Sequence, residues 1–206
     1  MKVIIVTGGI GSGKSQVCRL LQENYGIPVY EADSRAKCLY SEIPGLLDSI
    51  EDALCCKLRG ESGEFIPQLL AEVIFNDASA LQKVEELLFP AMMNDFEQWA
   101  GQIGKEVVAF ESATVLEKKQ FEGFGDIVLL VDAPMDLRIA RAMARDAVER
   151  DKILKRIAAQ QLMNRLSDGE VDPRIDYTLK NESTLENLSV KLADFIEKYG
   201  LTKMLS

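Results

Sequence analysis

A glycine-rich octapeptide constrains this chain more than any other feature of its sequence: Gly8-Gly9-Ile10-Gly11-Ser12-Gly13-Lys14-Ser15. It follows an apolar run at residues 3–6 and precedes an amphipathic stretch that begins at Gln16. Strand, glycine-rich turn and helix, in that order, are the context of the phosphate-binding loop Gly-x-x-x-x-Gly-Lys-Ser (P-loop). Glycines let backbone N–H groups approach an anion closely, and the start of the following helix favours negative charge. The pattern therefore predicts a site for the phosphates of a nucleoside triphosphate.

The residue types within the P-loop predict individual roles. Lys14 can reach the β- and γ-phosphates, and the hydroxyl of Ser15 can join the coordination shell of Mg²⁺. We therefore expect ATP and Mg²⁺ to bind here, with Ser15 as the metal ligand. The predicted nucleotide-binding residues of this segment are Gly9, Ile10, Gly11, Ser12, Gly13, Lys14, Ser15 and Gln16.

The composition limits the class of protein. With 206 residues, 47% of them apolar, the chain predicts one α/β domain, or one domain with a helical insertion. Its apolar runs are too short to cross a bilayer, and the first strand starts at residue 3, so we expect no membrane segment and no leader peptide. The irregular spacing of Cys18, Cys38, Cys55 and Cys56 favours reduced thiols and a cytoplasmic location.

Charge and residue usage restrict the chemistry further. The net charge of −9 argues against a nucleic-acid-binding surface. We also expect a monomer or a weak homo-oligomer. The sequence contains no histidine, so a general base must be a carboxylate, a lysine, a tyrosine, a cysteine or water.

Apolar runs and helical periodicity alternate along the chain in the order of a doubly wound parallel sheet. After the first strand, apolar runs predict buried strands at 27–31, 106–111, 127–132 and 176–179. Helical spacing predicts helices at 16–25, 34–40, 44–58, 67–75, 78–99, 134–147, 148–166 and 185–199. The fold class is therefore an α/β P-loop type with about five strands.

We expect one domain over residues 1–206 with three parts. The nucleotide-binding core comprises 1–33, 104–135 and 175–206, a helical region spans 34–103, and a lid region spans 136–174. The active crevice is expected at the carboxyl ends of the strands.

A P-loop alone leaves three classes open: a small-molecule kinase, a GTPase switch and an assembly ATPase. The chain contains neither Asp-x-x-Gly nor Asn-Lys-x-Asp, which a GTPase should show. The strands at 107–111 and 127–132 both end in an acid, so the ATPase interpretation stays open. Glu111 could hold Mg²⁺ through water, or it could be a structural charge.

Asp33 favours the kinase interpretation. It lies just past the second predicted strand, where a carboxylate can accept a proton from an attacking hydroxyl group. An Asp before a helix is also a common N-cap, and the sequence fits both roles equally well.

Three arginines after the fourth predicted strand favour the same interpretation. Arg138, Arg141 and Arg145 are spaced three and four residues apart and share one helical face. Guanidinium groups stabilise the charge that phosphoryl transfer spreads over the moving group. The alternative is a solvated face paired with Asp146 and Glu149.

With these residues in view, the chain resembles the dephospho-CoA kinases. Thr7 to Ser15 resembles the whole P-loop of that family, including its Thr-Gly-Gly-Ile opening. Glu31-Ala32-Asp33 is similar to its Asp-Ala-Asp, with Glu31 as a departure. Further similar segments are Arg141 to Asp146, Ala159-Gln160 and Asp176 to Asn181. Ile66-Pro67 and Phe89-Pro90 depart from the Asn-Arg and His-Pro of the family.

The resemblance implies phosphoryl transfer from ATP to the 3′-hydroxyl of dephospho-CoA. It implies that Asp33 is the catalytic base, and that Lys14 and Arg141 stabilise the transition state. Arg145 and Asn181 are expected near ATP, and the region 34–103 is expected to cover the CoA portion. The alternatives are another small-metabolite or nucleotide P-loop kinase, or a nucleotide-dependent switch or binding protein.

Overall fold

A computed structural model describes residues 1–201 of the chain. Its centre is a sheet with the strand order β2-β3-β1-β4-β5, in which β1 pairs in parallel with β3 and β4, and β4 pairs in parallel with β5. The strands are β1 (Lys2–Thr7), β2 (Val29–Glu31), β3 (Val107–Glu111), β4 (Ile127–Asp132) and β5 (Tyr177–Lys180). The doubly wound α/β fold expected from the sequence is confirmed.

Helices follow most of the strands, as expected for this class. Two short 3₁₀ turns, Val115–Glu117 and Lys119–Phe121, follow β3 and were not predicted from the sequence. The α-helices are α1 (Lys14–Tyr25), α2 (Ala32–Glu42), α3 (Leu46–Leu54), α4 (Pro67–Asn76), α5 (Ala78–Ile103), α6 (Met135–Asp146), α7 (Arg150–Ala158), α8 (Gln161–Ser167) and α9 (Leu185–Lys198). Within residues 1–201, no helix is both long and apolar enough to cross a membrane.

The chain divides into two compact units, residues 1–30 with 104–206, and residues 31–103. In the first unit, the central strands are buried on both faces, which explains their continuous apolar sequences. Ile4, Val6 and Leu129 are fully buried and belong to one core cluster with Leu21 of α1 and Phe195 of α9. This core fixes the positions of the strand ends from which the functional loops begin.

Truncating Leu129 should destabilise the protein strongly. Leu129→Ala removes a fully buried side chain from the central strand β4 and should lower the free energy of unfolding by about 2–5 kcal/mol. Denaturant unfolding measures the change. Val190→Ala is the control, because Val190 on α9 is 61% exposed and its truncation should change the stability little. Equal effects of the two variants would contradict this account of the core.

The second unit is helical and is built around the long helix α5. Its buried face repeats every four residues, at Ala80, Val84, Leu88, Met92, Phe96 and Ala100. On α2, Arg35 makes two hydrogen bonds of 2.8 Å to the carboxylate of Asp95 on α5. Apolar burial and this bidentate ion pair together hold α2 against α5.

Two of the differences between the predicted and the observed helix boundaries concern the site. The predicted helix 148–166 is two helices, α7 and α8, because Gln160 between them has φ −88° and ψ 85° and leaves the helical conformation. Helix α2 begins at Ala32, so Asp33 lies in its first turn and Glu31 occupies the N-cap position. The N-cap role considered for Asp33 is therefore wrong.

Candidate active site

The P-loop joins β1 to α1, which confirms the strand–turn–helix context predicted for it. Gly8 has φ 147°, and Gly13, at the N-cap position of α1, has φ 100°. L-amino acids with a side chain rarely adopt these values, so glycine is required at both positions. The loop thus presents the N-terminus of α1 as an anion site.

Buried polar groups around the P-loop fit a bound nucleotide. Within the described residues, three buried side-chain atoms have no hydrogen-bond partner: Thr7 Oγ1, Ser12 Oγ and Gln16 Nε2. Buried polar groups are normally satisfied, so this cluster fits a polar ligand. Ser15 is exposed in the first turn of α1. Nucleotide-bound Mg²⁺ takes most of its ligands from phosphates and water, so one exposed hydroxyl group at this position fits such an ion.

Lys14 is held at the base of the loop. Its Nζ donates a hydrogen bond of 3.0 Å to the carbonyl oxygen of Gly8 and lies 3.7 Å from Oε1 of Glu111. Both side chains are largely buried, with 12% and 13% of their surfaces exposed. Glu111 reaches this position because β3 runs parallel to β1, with Glu111 level with Val6. The ammonium group therefore lies between a carbonyl and a carboxylate oxygen at the carboxyl end of the sheet.

Residues from distant segments pack closely against three of the P-loop glycines. A Cβ atom at Gly9 would overlap the guanidinium group of Arg138, and one at Gly11 would overlap the backbone of the same residue. A Cβ at Gly13 would overlap the side-chain amide of Asn181. Because glycine has no Cβ atom, Arg138 and Asn181 can pack directly against the loop. The same absence of side chains lets an anion approach the loop backbone.

Arg138 and Gln160 hold the backbone of Ile10 from both sides. Arg138 Nε donates to the Ile10 carbonyl oxygen at 3.1 Å, and the Ile10 N–H donates to Gln160 Oε1 at 2.9 Å. Arg138 Nη2 also donates to Gln160 Oε1, at 3.3 Å. Arg138 is only 2% exposed, so the solvated face that the sequence left open as an alternative does not extend to this residue.

Arg141 contacts the P-loop through Asn181. Its Nη1 donates to the Asn181 carbonyl oxygen at 3.1 Å, and Asn181 Nδ2 donates to the Ser12 carbonyl oxygen at 2.8 Å. The Asn181 N–H bonds to the carbonyl oxygen of Asp132 at 2.7 Å, which places it beyond the end of β4. The structure thus brings Arg141, Asn181 and the P-loop together.

Arg145 lies in a surface ion-pair network. It is 58% exposed, and it donates to both carboxylate oxygens of Asp146, at 2.6 and 3.0 Å. Arg156 contacts the same carboxylate. Hydrogen bonds from Arg145 and Arg156 hold the pKa of Asp146 well below its usual range. This pairing matches the solvated alternative that the sequence allowed for this part of α6.

Asp33 belongs to the second unit. It is exposed in the first turn of α2, where a negative charge is favourable for the helix dipole. The side chain is therefore reachable by solvent.

Comparisons with known proteins identify the family of this chain. The sequence model of the dephospho-CoA kinase family (CoaE) matches residues 2–187. The dephospho-CoA kinase of Porphyromonas gingivalis is 37% identical over 172 residues, 84% of each chain. That of Salinibacter ruber is 33% identical over 197 residues, 94% of this chain and 96% of the relative.

A solved structure from Thermus thermophilus is similar over nearly the whole fold. Its TM-score is 0.80 at 28% sequence identity, covering 96% of this chain and 97% of the other. The match of the family extends from β1 to the first turn of α9 and includes the P-loop, Asp33, Arg141 and Asn181. This chain is a member of the dephospho-CoA kinase family.

Proposed function

We propose that the protein transfers the γ-phosphoryl group of ATP to the 3′-hydroxyl of the ribose in dephospho-CoA and releases CoA and ADP, the last step of CoA biosynthesis. The single observation that supports this most strongly is the family match over residues 2–187. The P-loop geometry supports the nucleotide half of the reaction independently.

The P-loop and Lys14 act on the phosphates of ATP. Backbone N–H groups at the N-terminus of α1 orient the β- and γ-phosphates, and Lys14 contributes its positive charge to the transferring group. Glu111 and the Gly8 carbonyl oxygen hold Lys14 at the base of the loop. Ser15 would hold Mg²⁺, which neutralises phosphate charge when it is bound.

Arg141 stabilises the transition state in this proposal. Its contact with the Asn181 carbonyl oxygen keeps the guanidinium group close to the P-loop. Asn181 holds the loop through its hydrogen bond to the Ser12 carbonyl oxygen and lies beside ATP. Arg145 binds a phosphate of ATP after it gives up its contact with Asp146. Fixed positive groups of this kind stabilise the charge of a phosphoryl-transfer transition state.

Asp33 accepts the proton of the 3′-hydroxyl group and aligns its oxygen for attack. The O–H bond breaks as the new P–O bond forms, and the bond between the γ-phosphorus and the bridging oxygen of ADP breaks. The proton passes to the carboxylate of Asp33, and ADP leaves with the bonding electron pair.

The helical region 34–103 contributes the acceptor side. We propose that it covers the CoA portion of the substrate and that the protein acts in the cytoplasm as a monomer or weak homo-oligomer. Two positions of this region depart from the sequence pattern of the family. Pro67 is the first residue of α4, where proline is favourable, and Phe89 is buried in α5. Both therefore have structural roles within this unit.

An acceptor panel tests the proposal. The purified protein with ATP and Mg²⁺ should convert dephospho-CoA to CoA, measured by chromatography and mass spectrometry. Nucleoside monophosphates and sugar acids should be poor acceptors, and chelation of Mg²⁺ should stop turnover. Efficient phosphorylation of another acceptor, with none of dephospho-CoA, would replace this proposal with another small-metabolite kinase.

A further inference from the structure

Arg138 is a buried positive charge without an acidic partner. It is 2% exposed, and within residues 1–201 no carboxylate lies within ion-pair distance of its guanidinium group. Burial lowers the pKa of Arg138, and the more distant charge of Asp132 raises it. The carboxylate of Asp132 is already paired with Lys180. Arginine keeps its proton even when buried, so the charge stays in place.

The contacts of Arg138 direct this charge to the phosphate site. Its side-chain hydrogen bonds go to neutral oxygen atoms, those of Ile10 and Gln160. The guanidinium group lies so close to Gly9 that any side chain there would overlap it. The charge therefore lies directly against the loop that surrounds the nucleotide phosphates.

We propose that Arg138 is a positioning residue for ATP, and that the phosphate chain of the bound nucleotide is the counter-charge of its guanidinium group. A buried charge without a counter-charge is destabilised by the loss of its hydration. An anion in the P-loop supplies the missing partner, so part of this cost is recovered only when ATP binds. The inference rests on the proposed nucleotide site and adds a cation that does not belong to the Gly-x-x-x-x-Gly-Lys-Ser motif.

Two substitutions separate charge from hydrogen bonding. Arg138→Lys keeps the charge and loses the planar guanidinium group with its several N–H donors. Arg138→Gln keeps a donor for the Ile10 carbonyl oxygen and loses the charge. Calorimetric titration with Mg·ATP at low salt should give a Kd raised about tenfold in Arg138→Gln and less than about threefold in Arg138→Lys. Lys198→Met is the control, since it removes a charge over the rings of Tyr177 and Tyr199 and should leave the Kd unchanged.

A third variant addresses folding. Gln160→Glu keeps the acceptor for the Ile10 N–H and gives Arg138 a carboxylate partner. It should raise the melting temperature without nucleotide and weaken ATP binding, a combination that a purely structural contact would not produce. Melting curves of all variants without nucleotide separate loss of folding from loss of affinity.

Two results would overturn the inference alone: wild-type affinity in Arg138→Gln, or weaker binding by Arg138→Lys than by Arg138→Gln. Failure of the wild-type protein to bind ATP would overturn the proposed function, and this inference with it.

Discussion

The Asp33→Asn variant should form CoA about 10²- to 10⁴-fold more slowly than the wild-type protein, as measured by kcat, because an amide cannot accept the proton of the attacking hydroxyl group. The Kd for ATP should stay the same, since the phosphates bind at the P-loop. Steady-state kinetics with dephospho-CoA and a separate calorimetric titration with ATP measure the two quantities.

A matched control is available in the same helical unit. Asp48 is an exposed acid in the first turn of α3, as Asp33 is in α2, so Asp48→Asn removes the same favourable charge from a helix N-terminus. Asp48 also pairs with Arg59, so the change costs on the order of 1 kcal/mol of stability in all, but it should leave kcat unchanged. An Asp33→Asn enzyme with full turnover would remove the catalytic base from this mechanism.

The second large effect is expected at Lys14. Lys14→Met should lower kcat/KM by about 10²- to 10³-fold, because the transferring phosphoryl group loses a fixed positive charge in a water-poor site. The loss should appear in single-turnover rates as well as in ATP affinity.

Glu111→Gln distinguishes catalysis from structure at this position. If Lys14 only neutralised Glu111, removing either charge would have similar effects, since their side chains lie 3.7 Å apart. We expect Glu111→Gln to be milder in kcat/KM, because Lys14 keeps its hydrogen bond to the Gly8 carbonyl oxygen. Equal losses in the two variants would assign Lys14 a structural role.

The strands and the P-loop were predictable because their signals are local. A strand buried on both faces must be apolar throughout, so 127–132 was predicted with the same bounds that β4 has. Three of the four P-loop glycines, Gly8, Gly11 and Gly13, have positive φ values, a backbone conformation that few other residues can adopt. Such features require no knowledge of distant segments.

The break between α7 and α8 was not predictable in this way. Residues 148–166 have continuous helical spacing, but Gln160 leaves the helix, and its side chain accepts a hydrogen bond from Ile10, 150 positions earlier in the chain. A local pattern contains no information about such a contact. The only sequence signal was the resemblance of Ala159-Gln160 to a family element, which did not specify its partner.

The three arginines of α6 show the same limit. Spacing predicts that Arg138, Arg141 and Arg145 share one face, but not what packs against each part of it. The P-loop covers Arg138 in the first half of the helix, whereas Arg145 in the last turn is exposed and pairs with Asp146. Arginines on the same face of one helix therefore differ in burial and in chemistry.

Label transfer from ATP tests the central claim most directly. With ATP labelled in its γ-phosphoryl group, the label should appear in CoA as a 3′-phosphate, in equal amount to the ADP formed, and only when dephospho-CoA is present. Label found only in inorganic phosphate, at a rate that dephospho-CoA does not change, would contradict the account and favour a nucleotide-dependent switch.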